Sequence, residues 1–257
     1  MRNRFARCDA FPINHKEFYV TKVLVIGAGR MGTIIRELVE ADETLELAGV
    51  IDIDNKEDLR EGAPAADVAI DFSHKSMLDL VEAYVQRTGC ALVSGTTGYD
   101  DAEMQRLQAL GEKAAVIHSA NYSLGVAVLR RLAAQAAEAL EGFDIEIVET
   151  HHNQKVDAPS GTAKLLLSAV NPEGEFEPVY GREGMCGKRP AREIGVHALR
   201  GGTVAGTHTV HFFGEDEEVA LTHRATSRRI FATGAVAAAK KLVEKQPGLY
   251  SFDELMF

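Results

Sequence analysis

The sequence predicts an α/β protein in two parts, a domain built on a parallel sheet followed by an α+β domain with a mixed sheet. Three observations carry this. Short apolar runs recur at Val23–Ile26, Leu45–Ile51, Val68–Phe72, Ala91–Val93 and Ala115–Ile117. Amphipathic stretches lie between several of them: Met31, Ile34, Ile35, Leu38 and Val39 share one helical stripe, and Met77, Leu80, Val81, Tyr84 and Val85 another. Strands and helices taking turns in this way make βαβ units, hence parallel strands with helices on both faces. After Asn121 the alternation stops.

The second part reads as a helix over Gly125–Leu140, a strand over Phe143–Glu149 and a helix over Ala163–Ala169. Residues 171–203 are rich in Gly, Pro and charge, and are expected to be long loops with a short strand or two. Strands follow at Val204–Phe213 and Val219–His223, then a helix over Ile230–Val243 ended by Pro247-Gly248. The expected organisation is an extension over 1–19, a dinucleotide-binding domain over 20–121 completed by about 229–257, and a substrate domain over 122–228.

Of 257 residues 46% are hydrophobic and the net charge is -10, an ordinary globular composition without the basic excess of a general nucleic-acid surface. Cys8, Cys90 and Cys186 are odd in number and widely spaced, with no CxxC pair, which suits a reducing cytosol and argues against a disulfide framework or structural zinc. No apolar run approaches a membrane span. Residues 1–19 hold Arg2, Arg4 and Arg7 but no apolar core of a secretory signal.

Gly27-Ala28-Gly29-Arg30-Met31-Gly32 follows a strand and opens a helix, the context that gives GxGxxG its meaning. The glycines permit a tight turn and close approach to a pyrophosphate, and the helix start offers unpaired N–H groups. Asp52, at the end of the second strand, stands where a ribose hydroxyl is read and favours NADH; Arg30 and Lys56 are available to a 2′-phosphate, which leaves NADPH open. Loops from the same sheet edge are Asp71-Phe72-Ser73, Gly95-Thr96-Thr97-Gly98 and Ser119-Ala120-Asn121-Tyr122.

The most informative stretch runs from Glu149 to Lys164. His151, His152 and Lys155 bring up to three cationic groups within five residues. On an extended segment neighbouring side chains alternate, so one histidine is expected to face a pocket and the other to be held elsewhere. Ser160 is a natural N-cap, and Gly161 and Thr162 would present free amides to an anion. Together these suggest a small carboxylate substrate, a dicarboxylate among the options, with His151 or Lys155 as a proton source. A zinc site would need a third ligand such as Glu149 or Asp157, and no metal-binding spacing is present, so no metal is expected. Two other classes fit part of the pattern: another nicotinamide oxidoreductase such as an amino-acid dehydrogenase, and a non-catalytic dinucleotide sensor.

The stretch HHNQKVDAPSGTA at His151–Ala163 resembles the signature of the dihydrodipicolinate (4-hydroxy-tetrahydrodipicolinate) reductase family. Supporting matches are GRMG at Gly29–Gly32, DFS at Asp71–Ser73, GTTG at Gly95–Gly98, SANYSLGV at Ser119–Val126, YGREG at Tyr180–Gly184, RGGTVAGTHTV at Arg200–Val210 and THRATSRRIFATGA at Thr222–Ala235. The resemblance implies a Rossmann-type domain, a mixed-sheet domain that also assembles a homotetramer, and a cytoplasmic reductase of lysine and diaminopimelate biosynthesis using NADH or NADPH. It makes His151 the general acid/base and Lys155 the proton donor. His152, Ser160, Gly161 and Thr162, with Lys155, would hold the substrate carboxylates. Gly27, Ala28, Gly29, Arg30, Met31, Asp52, Gly95, Thr96, Thr97, Ser119, Ala120, Asn121 and Tyr122 would meet the cofactor. The glycine loop is one residue shorter than the common family form, and no arginine follows Asp52 closely.

Overall fold

The computed structural model describes residues 19–257; the expectations for 1–18, Cys8 included, lie outside the described residues. The first sheet is built from β1 (Thr21–Ile26), β2 (Leu45–Ile51), β3 (Val68–Asp71), β4 (Ala91–Ser94) and β5 (Ala115–His118), completed by β11 (Gly248–Tyr250). Its order is β2-β1-β3-β4-β5-β11 and every pairing is parallel. Val23, Leu24, Val25 and Ile26 are fully buried, as strands covered on both faces must be. Val23, Val25, Ile70, Val93 and Ile117 face α1 (Arg30–Glu40) and α6 (Arg229–Leu242). Leu24, Ala69, Leu92 and Val116 face α2 (Leu78–Thr88) and α3 (Asp101–Ala109).

The second sheet contains β6 (Asp144–His151), β7 (Glu177–Val179), β8 (Glu193–Arg200), β9 (Gly206–Phe213) and β10 (Glu218–Ala225), in the order β10-β9-β6-β8-β7. It is mixed: β6 pairs parallel with β8 and antiparallel with β9. Ile145, Ile147, Val210 and Phe212 alternate inward and pack under α4 (Leu124–Ala139) and α5 (Gly161–Val170). The chain then returns. Ala232, Ala235, Ala238 and Leu242 of α6 pack on the first sheet, and β11 and α7 (Phe252–Met256) close the end.

Two readings of the sequence need correction. Residues 171–203 are less loop-like than expected, because β8 is a full eight-residue strand; Gly195, the charged ends Glu193 and Arg200, and the exposed Ala198 and Leu199 hide its alternation. α6 stops at Leu242, within one residue of the expected end, but Pro247-Gly248 is not its terminator: Gly248 starts β11. Among the described residues no helix is long and apolar enough to cross a membrane.

Candidate active site

Parallel strands all end on one side, and that edge carries the glycine loop, the ends of β3 and β4, and the segment after β5. Gly27 adopts φ +106°, and a methyl group there would lie 2.5 Å from the Phe72 carbonyl oxygen; one on Gly32 would lie 1.7 Å from the Gly27 carbonyl oxygen. Only glycine allows this approach of loop and helix. Gly29 caps α1 without a side-chain bond, and no acidic residue stands in the first turn, so its amides are free for an anion. Gly27, Ala28, Gly29 and Asp52 line one hollow with Ile53, Ser73 and His74. These residues fit a dinucleotide: amides for its pyrophosphate and a carboxylate for a ribose.

At the end of β3, Asp71 is buried and binds the Ser73 amide at 3.1 Å, the Ser73 hydroxyl at 2.5 Å and the Thr96 hydroxyl at 2.9 Å. Burial pushes the Asp71 carboxyl up. The contact locks the β3 and β4 loops together, with the Phe72 ring against Gly95.

A second cavity of about 290 Å³ opens between the two lobes. Met31, Gly95, Ala120, Asn121 and Tyr122 line it from the first sheet; His151, His152, Lys155, Ser160, Gly161 and Thr162 line it from the second. Asn121 and Thr162 are hydrogen-bonded across the gap at 2.8 Å. Four residues named for cofactor contact line neither hollow: Arg30 is exposed on α1, Thr97 is exposed, Thr96 is turned to Asp71, and the Ser119 hydroxyl bonds the Asn121 carbonyl. The Tyr122 hydroxyl points inward to the Ser94 carbonyl at 2.7 Å.

Both histidines line the cavity, which corrects the expectation of opposite faces. β6 ends at His151, and the chain turns there, with the His152 amide bonded to the Val204 carbonyl. His152 Nε2 accepts from Arg228 Nη2 at 2.8 Å. Lost solvent contact, then the charge of Arg228 and other nearby cations, lower the His152 pKa and favour a neutral ring. Lys155 Nζ rests 2.8 Å from Asp157 Oδ1. Ser160 caps α5 through the Ala163 amide, which aims the start of that helix into the cavity.

Residues that the sequence reading did not assign also meet here. Arg228 and Phe231 line the cavity, and Arg200 holds Glu149 from behind. Arg200 and Arg228 both stand in motifs quoted above, so the motifs held the signal, but no spacing rule singles these arginines out.

Family models describe both halves of the chain: "Dihydrodipicolinate reductase, N-terminus" matches residues 21–122 and "Dihydrodipicolinate reductase, C-terminus" residues 125–256. The 4-hydroxy-tetrahydrodipicolinate reductase of Brachyspira hyodysenteriae is 41% identical, over 91% of this chain and 99% of its own. That of Methanopyrus kandleri is 45% identical, over 91% and 96%. Among solved structures, a dipicolinate-bound dihydrodipicolinate reductase from Paenisporosarcina sp. TG-14 superposes with a TM-score of 0.74 at 25% identity, covering 93% of this chain and 100% of that one. With both halves matched in order and these relatives aligned nearly end to end, this chain belongs to the dihydrodipicolinate reductase family.

Proposed function

We propose that this protein reduces 4-hydroxy-tetrahydrodipicolinate to tetrahydrodipicolinate, with loss of the 4-hydroxyl as water, in diaminopimelate and lysine biosynthesis. The observation that carries the reading is the shared cavity, where His151, His152, Lys155 and the start of α5 face Met31, Gly95 and Asn121. The bound nicotinamide supplies the hydride.

The chain's own residues do the rest. The free amides of Gly161 and Thr162, with His152, Ser160 and Lys155, grip the two carboxylates and hold the ring against the first lobe. His151 serves as general acid/base, and Lys155 delivers the proton that the reduced ring takes up. Gly27, Ala28, Gly29, Met31, Asp52, Gly95 and Ala120 to Tyr122, which line the two hollows, are the proposed cofactor residues. NADH is the favoured donor: Asp52 lines the first hollow, and neither Arg30 nor Lys56 does. The domain assignment is a dinucleotide-binding unit of 20–121 with about 229–257, and a substrate unit of 122–228.

The working form is a homotetramer. Its support is the outer face of the second sheet, where Thr209, His211 and Phe213 alternate away from the helix-covered side and Phe213 is 40% exposed. A cytosolic location agrees with the free thiols of Cys90 and Cys186.

The test supplies substrate freshly made by the preceding synthase step and follows nicotinamide absorbance. Substrate-dependent loss of NADH with formation of tetrahydrodipicolinate is the expected result. Binding of NADH without its oxidation would sink the reading and leave a sensor.

A further inference from the structure

One wholly buried carboxylate bonds both His151 and the start of α5, and Arg200 links it onward to the Asp157 segment that holds Lys155. Glu149 has no solvent exposure. Its Oε2 accepts from His151 Nδ1 at 2.5 Å and from Arg200 Nη1 at 2.8 Å. Its Oε1 accepts from Arg200 Nη2 at 2.8 Å and from the Ser160 amide at 3.0 Å. Arg200 Nη2 also donates to the Asp157 carbonyl at 2.7 Å, and Asp157 in turn holds Lys155.

The geometry points to Glu149 as a positioning residue for the reduction: its carboxylate keeps a proton on His151 Nδ1 and so leaves Nε2 to face the substrate. This rests on reading His151 as the acid/base group. An ionised carboxylate only accepts, so the ring nitrogen opposite it carries hydrogen whether His151 is neutral or charged. One ring orientation then serves both halves of a proton transfer, since Nε2 accepts in the neutral form and donates in the charged one. Burial alone would push the Glu149 carboxyl up; the bonds from Arg200, His151 and the Ser160 amide outweigh it and hold it below the usual carboxylate range. The fold supplies Arg200 directly, because the β6–β8 register sets His151 beside Arg200. On the other side, the His208 ring meets His151 edge-on, 5.1 Å between centroids. Position 206 is glycine, and a methyl group there would come within 3.1 Å of His151 Nε2.

A purely structural Glu149 would only anchor Ser160 and α5. Glu149→Gln separates the two roles. Its Oε1 still accepts from the Ser160 amide and Arg200, but its NH₂ faces His151 Nδ1 and drives the ring hydrogen to Nε2. The experiment records nitrogen NMR of ¹⁵N-histidine-labelled full-length protein at a pH where histidine is neutral, with His151 assigned from the His151→Gln spectrum. The expected result is an Nδ1–H ring in the parent and an Nε2–H ring in E149Q. Alongside it, kcat falls by about 10²–10⁴-fold with KM unchanged, and Glu149→Asp restores part of the loss. An Nε2–H ring in the parent protein, or an unaltered tautomer in E149Q, overturns the inference. If E149Q does not fold, the parent spectrum decides alone. Full turnover by His151→Gln would instead remove the acid/base reading and leave the tautomer result standing, so the two failures are distinct.

Discussion

Asn121 Nδ2 donates a 2.8 Å hydrogen bond to Thr162 Oγ1, joining the segment after β5 to the first turn of α5. The contact fixes how this edge of the first lobe meets the start of α5. Asn121 is itself held, since its Oδ1 accepts the Ser123 amide at 2.7 Å. Asn121→Ala should therefore lower kcat/KM by about tenfold, the scale of one lost hydrogen bond at a reacting geometry. Steady-state kinetics with a melting curve checks this; a large drop in stability with normal kcat/KM would mean that the contact is only structural.

Acid should act on the histidine that backs the Ser160 cap. His208 Nε2 sits 3.0 Å from the Ser160 hydroxyl, and burial, followed by the nearby charge of His151, pushes its pKa down to about 4 from the usual 6.5. The unfolded chain takes up this proton first as pH falls. The contribution of His208 to stability is thus whole above about 6.5 and is lost as pH drops toward 4, on the order of 3 kcal/mol in all. Denaturant unfolding of the parent and of His208→Gln across that window should show a shallower acid loss in the variant. Parallel curves would refute the assignment. The comparison is needed because His118, His152 and His223 also have lowered pKa values.

Cofactor choice should follow Asp52. The carboxylate lies at the end of β2 beside Ala28 and Gly29. If it reads a ribose 2′-hydroxyl, NADH gives the higher kcat/KM, and Asp52→Ser narrows the ratio to NADPH by about tenfold or more. A ratio that does not move would clear Asp52 of the role.

The strands β1 to β5 were legible because each is built on a short, mostly apolar run between turn residues, and α1 and α2 because each shows one apolar stripe. α3 is hard to read in the sequence: among its residues only Leu107 is buried, and its best sign is the Asp100–Glu103 capping box. β11 and α7 have three and five residues, too few for a period to show. In the site, the segment from His151 to Thr162 was readable because its cations and helix cap are neighbours in sequence. Arg200 was not. It reaches Glu149 across 51 positions, through a strand register that appears only when β6 and β8 pair. Glu149 offers itself in the sequence as a possible metal ligand; its burial and the four hydrogen bonds it accepts become visible only in three dimensions.

The central claim is that Lys155, half-buried in the inter-lobe cavity and braced by Asp157, delivers a proton during reduction. Its most direct test is the turnover number of Lys155→Ala with substrate freshly generated by the synthase, on protein whose circular dichroism and melting temperature match the parent. The account predicts a fall in kcat of about 10²–10⁴-fold. Parental turnover by a folded Lys155→Ala protein would contradict it.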